Sequence, residues 1–116
     1  MTDILQEKAF HFALRIVSLS EYLHDKKQEY VLSRKVLDSG TNIGLLIEEG
    51  KQSGEKSDFI LKYSVANKEA FKTHFLLRLL RDSKILSDTQ VESLLSECGE
   101  LQALLISSLK TARRSE

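Results

Sequence analysis

Apolar residues recur every three or four positions along most of this chain, which is the spacing typical of helices that bury one side. The first such segment runs from about residue 3 to residue 24, and Asp3 and Gln6 are spaced as a capping box. Residues 25–28 contain no apolar side chain, so the pattern predicts the first turn there. The apolar positions assigned to this helix are Ile4, Leu5, Phe10, Ala13, Leu14, Val17, Leu19 and Leu23.

A second helix is predicted to begin near Glu29 or Tyr30 and to extend to about residue 50. Several of its residues recur at three- and four-residue steps, so one side of this helix could let a neighbouring helix approach closely: Ser39, Gly40, Ile43, Gly44 and Ile47. Propensity alone would break the helix at residues 39–44, because glycine costs about 1 kcal/mol against alanine inside a helix. Residues 50–56 are a better candidate for the break, with Gly50 or Gly54 as the left-handed closing residue and Ser57 as the next cap.

The third predicted helix, residues 58–84, is apolar on two sides. One face suits a bundle core and consists of Phe59, Tyr63, Ala66, Ala70, Leu77 and Leu80. A second face needs a partner, which predicts an oligomer interface at Leu61, Phe71, Phe75 and Leu79. The alternative is that the first and fourth helices cover both faces within one chain.

The fourth helix follows a second capping box, Ser87 and Gln90, and carries an apolar stripe close to a heptad repeat. It ends in the cations Lys110, Arg113 and Arg114, which suit a helix C-terminus. Four helices joined by short turns predict an all-α, antiparallel up-down four-helix bundle, with residues 1–116 as a single domain.

Composition agrees with long helices, because the 116 residues include no proline and only 5 glycines. The 17 basic and 17 acidic side chains cancel, so any nucleic-acid or lipid contact would require a local patch. No apolar run is long enough to span a membrane and no export signal is visible, which favours a soluble, cytoplasmic protein. Cys98 lies among leucines and is expected to be a buried, unreactive thiol.

Catalytic chemistry finds little support in the sequence. Phosphate-binding glycine motifs and a nucleophile elbow are absent, and His11 and His74 are expected to be interfacial or partly buried. A metal bundle enzyme is the alternative, but Glu21 and His24 form a single Glu-x-x-His where that architecture needs two. The sequence therefore predicts no catalytic residue, no metal, no cofactor and no small-molecule substrate. Elemental analysis would test the metal alternative.

Local charge is less balanced than the total. Residues 55–86 carry seven cations against four acids, which could serve a phosphate backbone if subunits complete a patch, or could simply be solvated flanks of a helix. Glu49 and Glu69 lie beside small residues and are expected to pair with cations or hydroxyls if they point inward. The candidate nucleic-acid contacts are Lys62, Lys68, Lys72, Arg78, Arg81, Lys84, Arg113 and Arg114.

Residues 37–44 (LDSGTNIG), 47–49 (IEE), 58–60 (DFI) and 66–70 (ANKEA) resemble the bacterial four-helix-bundle family first noticed in intervening sequences of 23S ribosomal RNA genes. The resemblance implies a continuous second helix and a non-enzymatic, ring-like homopentamer. A related branch, the accessory variability proteins of diversity-generating retroelements, binds nucleic acid and a reverse transcriptase. The matching signature residues, expected to be structural, are Gly40, Thr41, Ile43, Gly44, Glu49, Asp58, Phe59, Ala66, Glu69 and Ala70.

The sequence thus predicts a non-enzymatic homo-oligomeric scaffold or adaptor, with a pentamer favoured. RNA, DNA or a reverse transcriptase is the candidate partner. The alternative is a structural oligomer that contacts other proteins and has no nucleic-acid role.

Overall fold

The computed structural model describes residues 3–114, which form four helices connected by short turns. The helices are α1 (Ile4–Lys27), α2 (Val31–Gln52), α3 (Lys56–Asp82) and α4 (Asp88–Arg114). Each packs against the next and α4 returns to α1, so the chain forms a bundle of 47 × 22 × 20 Å. The predicted all-α up-down four-helix bundle is confirmed.

The start of α1 follows the prediction, but its end does not. The Asp3 carboxylate accepts a hydrogen bond from the Gln6 backbone N–H at 2.8 Å, and the Gln6 side chain accepts one from the Asp3 N–H at 3.1 Å. The turn predicted at residues 25–28 is wrong, because the helix continues to Lys27 and ends at Gln28, whose φ of 50° is left-handed. Residues 25–27 are polar because the last turn of α1 is exposed to water, and their lack of apolar side chains did not mark a break in the helix.

The α2 helix runs without interruption through residues 39–44, as the family resemblance implied. Gly40 and Gly44 face α1, whereas the Ser39 hydroxyl lies 2.8 Å from that of Thr73 on α3. A Cβ placed on Gly40 would lie 2.8 Å from Ile16 Cγ2, a distance that side chains do not adopt. Close packing of α1 therefore offsets the low helix propensity of glycine at this position.

The end of α2 differs from the prediction. Neither Gly50 nor Gly54 is left-handed, and α2 continues to Gln52 with Ser53 as its C-cap. Gly50 is buried inside the helix because a Cβ there would lie 2.9 Å from the Tyr63 ring. Ser57 is not a cap either, since α3 begins at Lys56 after Glu55.

The end of α3 differs from the prediction, whereas the start of α4 agrees with it. The α3 helix ends at Asp82, before the predicted residue 84, and Lys84 turns the chain with a φ of 68°. The second capping box is confirmed: Ser87 N–H donates to Gln90 Oε1 at 2.9 Å, and Gln90 N–H donates to Ser87 Oγ at 3.3 Å.

The core lies along the bundle axis and takes side chains from all four helices. Cys98 is buried as expected, and its thiol donates a hydrogen bond to the Ala70 carbonyl at 3.3 Å. Burial raises the pKa of this thiol to about 12, so it stays protonated. Among residues 3–114, no helix is long and apolar enough to cross a bilayer. The largest fully buried side chains are Tyr63, Phe12, Ile16, Leu23, Ile43, Ile47, Leu77, Leu80, Leu86, Leu101, Leu105 and Val36.

Candidate interaction surfaces

The second apolar face predicted on the third helix points away from the bundle. Leu61, Phe71, Phe75 and Leu79 are 58%, 55%, 54% and 40% exposed, whereas Tyr63, Ala66, Ala70, Leu77 and Leu80 of the first face are buried. Phe59 of that first face is half-buried against the Tyr63 ring, with ring centroids 4.0 Å apart. Coverage of both faces within one chain, the alternative considered above, is therefore wrong.

Cations alternate with these apolar side chains along the outer side of α3. Residues three, four or seven positions apart lie on the same side of a helix. Every member of this set is one of these distances from another member, so all seven side chains share one side of α3. The Arg78 guanidinium lies 5.7 Å from the centre of the Phe75 ring. We call this surface the α3 stripe: Leu61, Lys68, Phe71, Lys72, Phe75, Arg78 and Leu79.

Most of the other predicted nucleic-acid contacts point elsewhere or are paired. The Lys62 ammonium lies 3.5 Å from the Glu49 carboxylate on α2, and Arg81 Nε lies 2.8 Å from Asp82. Arg113 donates to Ser64 Oγ at 3.2 Å, which links α4 to α3. Lys84 is in the third turn and Arg114 at the end of α4. The structure thus brings together three of the eight predicted cations, namely Lys68, Lys72 and Arg78.

A second exposed apolar surface lies on the opposite helix pair, and the sequence reasoning missed it. Phe10, Leu14 and Val17 of α1 are 65%, 54% and 41% exposed, and Leu45 of α2 is 57% exposed. The assignment of Phe10, Leu14 and Val17 to the buried side of the first helix is wrong, as is that of Ile4, which is 62% exposed. We call Phe10, Leu14, Val17 and Leu45 the α1/α2 patch.

The spacing of the apolar residues contains the signal that could have found this patch. Leu5, Ala9, Phe12, Ile16, Leu19 and Leu23 already form a complete helical stripe, and all are buried. Phe10, Leu14 and Val17 form a separate stripe with the same spacing. Two apolar stripes on one helix indicate that two of its sides pack against neighbouring surfaces.

A hollow of about 250 Å³ opens within the α1/α2 patch. Its walls include the exposed Phe10 and Leu45 and the small residues Ala13 and Gly44. The Glu48 carboxylate lies at its rim and accepts a hydrogen bond from the buried Gln6 amide at 3.2 Å. The lining residues are Gln6, Phe10, Ala13, Thr41, Gly44, Leu45 and Glu48.

The groove between α2 and α3 is more polar. The buried Thr73 hydroxyl lies 2.8 Å from both Ser39 Oγ and the Glu69 carbonyl oxygen. The Glu69 side chain is only 15% exposed, and Lys72 Nζ lies 3.4 Å from its carboxylate. Glu69 therefore pairs with a cation as expected, although its Oε2 atom is buried without a hydrogen bond among the described residues. Glu49 is exposed and also pairs with a lysine.

Polar contacts bridge α1 and α4. The Glu97 carboxylate accepts from Arg15 and lies 3.3 Å from His11 Nδ1, and Lys8 lies 3.2 Å from Glu100. His11 is exposed in this seam, while His74 on α3 is half-buried. Burial, with Arg78 and Arg81 nearby, lowers the pKa of His74, so the ring is neutral at pH 7. Neither histidine has a nucleophile among its described hydrogen-bond partners.

The signature residues of the resemblance are mostly packing residues. Gly40, Ile43, Ala66 and Ala70 are buried, and Thr41 Oγ1 donates to the Leu37 carbonyl at 2.7 Å. Asp58 occupies the first turn of α3, where a negative charge favours a helix N-terminus.

The single Glu-x-x-His of the sequence lies on the surface. Glu21 and His24 are both exposed near the end of α1, and the His24 ring lies 3.0 Å from Asp25. Within residues 3–114, no three His, Cys, Asp or Glu side chains are placed to hold a metal ion.

These features define the class of protein. It is a small all-α four-helix bundle whose main surface features are two apolar surfaces and polar grooves between helices. The chain belongs to the 23S rRNA-intervening sequence protein family, whose profile matches residues 3–107. The resemblance drawn from the sequence is confirmed at the level of the family, and a relation to retroelement accessory proteins stays a prediction.

A solved structure agrees with this assignment. The chain is similar to a protein from Bacteroides thetaiotaomicron VPI-5482 that is described as having unknown function and as belonging to the S23 ribosomal protein family. The two are 38% identical, with a TM-score of 0.91, and the alignment covers 92% of this chain and 99% of that one. A search of curated proteins finds no match.

Proposed function

We propose that this protein is a non-catalytic, self-associating helical scaffold. The observation that supports it best is the pair of exposed apolar surfaces, the α3 stripe and the α1/α2 patch. Each has four large apolar side chains at least 40% exposed. Contiguous exposed apolar patches on small proteins usually mark protein interaction sites, because leaving them in water forgoes about 25 cal/mol per Å².

Sedimentation equilibrium over a range of protein concentrations tests this function. We expect a mass several times that of one chain, and five copies would agree with the pentamer that the resemblance implies. A protein that sediments as a monomer at every concentration would contradict self-association.

Nucleic-acid binding is a second candidate, in which the scaffold is an adaptor for RNA, DNA or an enzyme such as a reverse transcriptase. One observation favours it: Lys68 and Arg78, which have no ion pair among the described residues, flank the exposed rings of Phe71 and Phe75. Aromatic rings beside cations are typical of surfaces that stack single-stranded bases.

Fluorescence anisotropy with single-stranded RNA and DNA at several salt concentrations tests this candidate. If the α3 stripe binds the backbone, replacing Lys68 and Arg78 by alanine should lower the log–log salt slope by about two, one for each phosphate contact. Absent binding, or binding that does not respond to salt or to these replacements, would leave the protein-only oligomer as the function.

A further inference from the structure

We propose that the α1/α2 patch of one copy packs against the α3 stripe of a second copy, so that the chains join through two different surfaces. This inference rests on the proposed self-association and specifies its geometry. Three features of the two surfaces support it: their charge, their length and their shape.

The charges around the two surfaces are opposite. Glu48 lines the hollow beside Phe10, and Glu21 lies one turn beyond Val17 on the same side of α1. Asp38 lies two turns before Leu45 on the outer side of α2, and the cation Arg34 lies one turn before Asp38. The α1/α2 patch therefore has three acids around it, with Arg34 at its far end and the His11 ring beside Phe10 and Leu14.

The α3 stripe has the reverse character. Lys68, Lys72 and Arg78 stand between its apolar side chains. The Lys72 ammonium lies 3.4 Å from the Glu69 carboxylate, and Arg78 lies one turn before Asp82 at the end of α3. Two copies joined by identical surfaces would place acids against acids or cations against cations. Packing the α1/α2 patch on the α3 stripe places cations against acids, and like-charge pairing across an interface is unfavourable.

The C-terminal part of the α3 stripe matches the α1/α2 patch in length. Phe10 to Val17 covers about 10 Å of α1, and Phe71 to Leu79 covers about 12 Å of α3, at about 1.5 Å per residue. These two rows of side chains can lie side by side, while Leu61 lies about 15 Å from Phe71 along α3.

Their shapes are complementary as well. The hollow in the α1/α2 patch is lined in part by the small residues Ala13 and Gly44. The α3 stripe presents two protruding rings, Phe71 and Phe75, each more than half exposed. An aromatic side chain that fills a pocket on its partner is the usual energetic centre of an interface. We assign that role to a phenylalanine of the α3 stripe.

Pairing of two different surfaces has a consequence that pairing of identical surfaces lacks. A pair of bound copies still has one free α1/α2 patch at one end and one free α3 stripe at the other, so association continues until the copies close into a ring or extend as a filament. Closure leaves neither apolar surface exposed.

A mixing experiment tests the proposal. Leu45→Lys blocks the α1/α2 patch and Phe75→Glu blocks the α3 stripe, while each leaves the other surface intact. Ile4→Lys is the matched control, because Ile4 is 62% exposed but lies over the seam between α1 and α4. We expect the native chain and the control to assemble and each blocked variant to be a monomer. We expect an equimolar mixture of the two blocked variants to form a complex that contains both chains.

Other outcomes would overturn the inference in distinguishable ways. If the native chain assembles but only one blocked variant is monomeric, or the mixture stays monomeric, identical surfaces pair and the scaffold function stands. If Phe75→Glu removes RNA binding but not assembly, the α3 stripe is a polyanion surface. A monomeric native chain contradicts both the inference and the proposed function. Circular dichroism melts check that the variants fold, and Leu14→Lys with Leu79→Glu replace any that does not.

Discussion

Gly40 lies where α1 and α2 pack too closely for a side chain to fit between them. We expect Gly40→Ala to destabilise the protein by about 1–2 kcal/mol, because overpacking costs about 1–3 kcal/mol and the gain in helix propensity recovers up to about 1 kcal/mol. The contact atoms belong to Ile16, which is fully buried and branched at Cβ, so it cannot move aside easily. Urea denaturation measures the change.

The matched control is Gly99→Ala, also within a helix. A Cβ on Gly99 meets no atom within 4 Å, so only the propensity gain remains and we expect up to about 1 kcal/mol of stabilisation. A Gly40→Ala protein as stable as the native chain would show that α1 can shift away from α2.

Cys98 should make the protein less stable in alkaline solution. Burial raises the pKa of the folded thiol from its ordinary value of 9.0 to about 12, so the folded state keeps its proton while the unfolded state loses it above pH 9. This thiol does not change the free energy of unfolding well below pH 9. As the pH rises further, the free energy of unfolding falls, by about 1.4 kcal/mol between pH 8 and pH 10.

Cys98→Ala isolates this effect from other alkaline titrations. Over the same pH range its free energy of unfolding should fall by about 1.4 kcal/mol less than that of the native chain, whatever its absolute stability. Equal slopes would mean that Cys98 ionises normally in the folded protein. Tyr63 adds a loss at higher pH, since burial and the nearby charges of Asp3 and Glu48 raise its pKa to about 12.

At the scale of helices, the start of α4 depends on one hydroxyl. Ser87→Ala removes the acceptor for the Gln90 N–H and should destabilise the protein by about 1 kcal/mol. Ser87→Asp keeps an acceptor at the same position and should retain most of the stability. Thermal melts measure the stability of the two variants, and an equal loss of stability in both would indicate that the cap contributes little.

The ends of the helices show which local signals are reliable. Both capping boxes were predicted correctly because each is completed by residues three apart, without help from the rest of the fold. Gly50 was misassigned as a helix end because its reason for being glycine is the Tyr63 ring on another helix. A glycine in a sequence does not reveal whether it serves a turn or a close contact.

At the scale of the whole molecule, the proposed packing predicts how salt affects assembly. Raising the salt concentration from about 0.1 M to about 1 M shortens the Debye length from about 10 Å to about 3 Å. We expect the dissociation constant between chains to rise several-fold, because cations and acids attract less, while apolar burial maintains assembly at high protein concentration.

The charge contribution can be removed directly. Replacing Lys68 and Arg78 by alanine should flatten the salt dependence measured by light scattering and leave the apolar contact. Assembly that tightens steadily with salt in the native chain would show that the charges around the two surfaces do not contribute.

The sequence by itself determined the four helices, their two capping boxes, the small-residue contact of α2 and the outward face of α3. These follow from spacing along the chain, because a helix repeats its sides every three or four residues. Only the tertiary structure decided how α1 is rotated. Phe10 and Phe12 are alike in sequence, yet Phe12 is fully buried and Phe10 is 65% exposed. The sequence contains both apolar stripes of α1, but packing against α2 and α4 fixes which stripe turns inward, and so only the folded molecule showed that Phe10, Leu14 and Val17 form the exposed one.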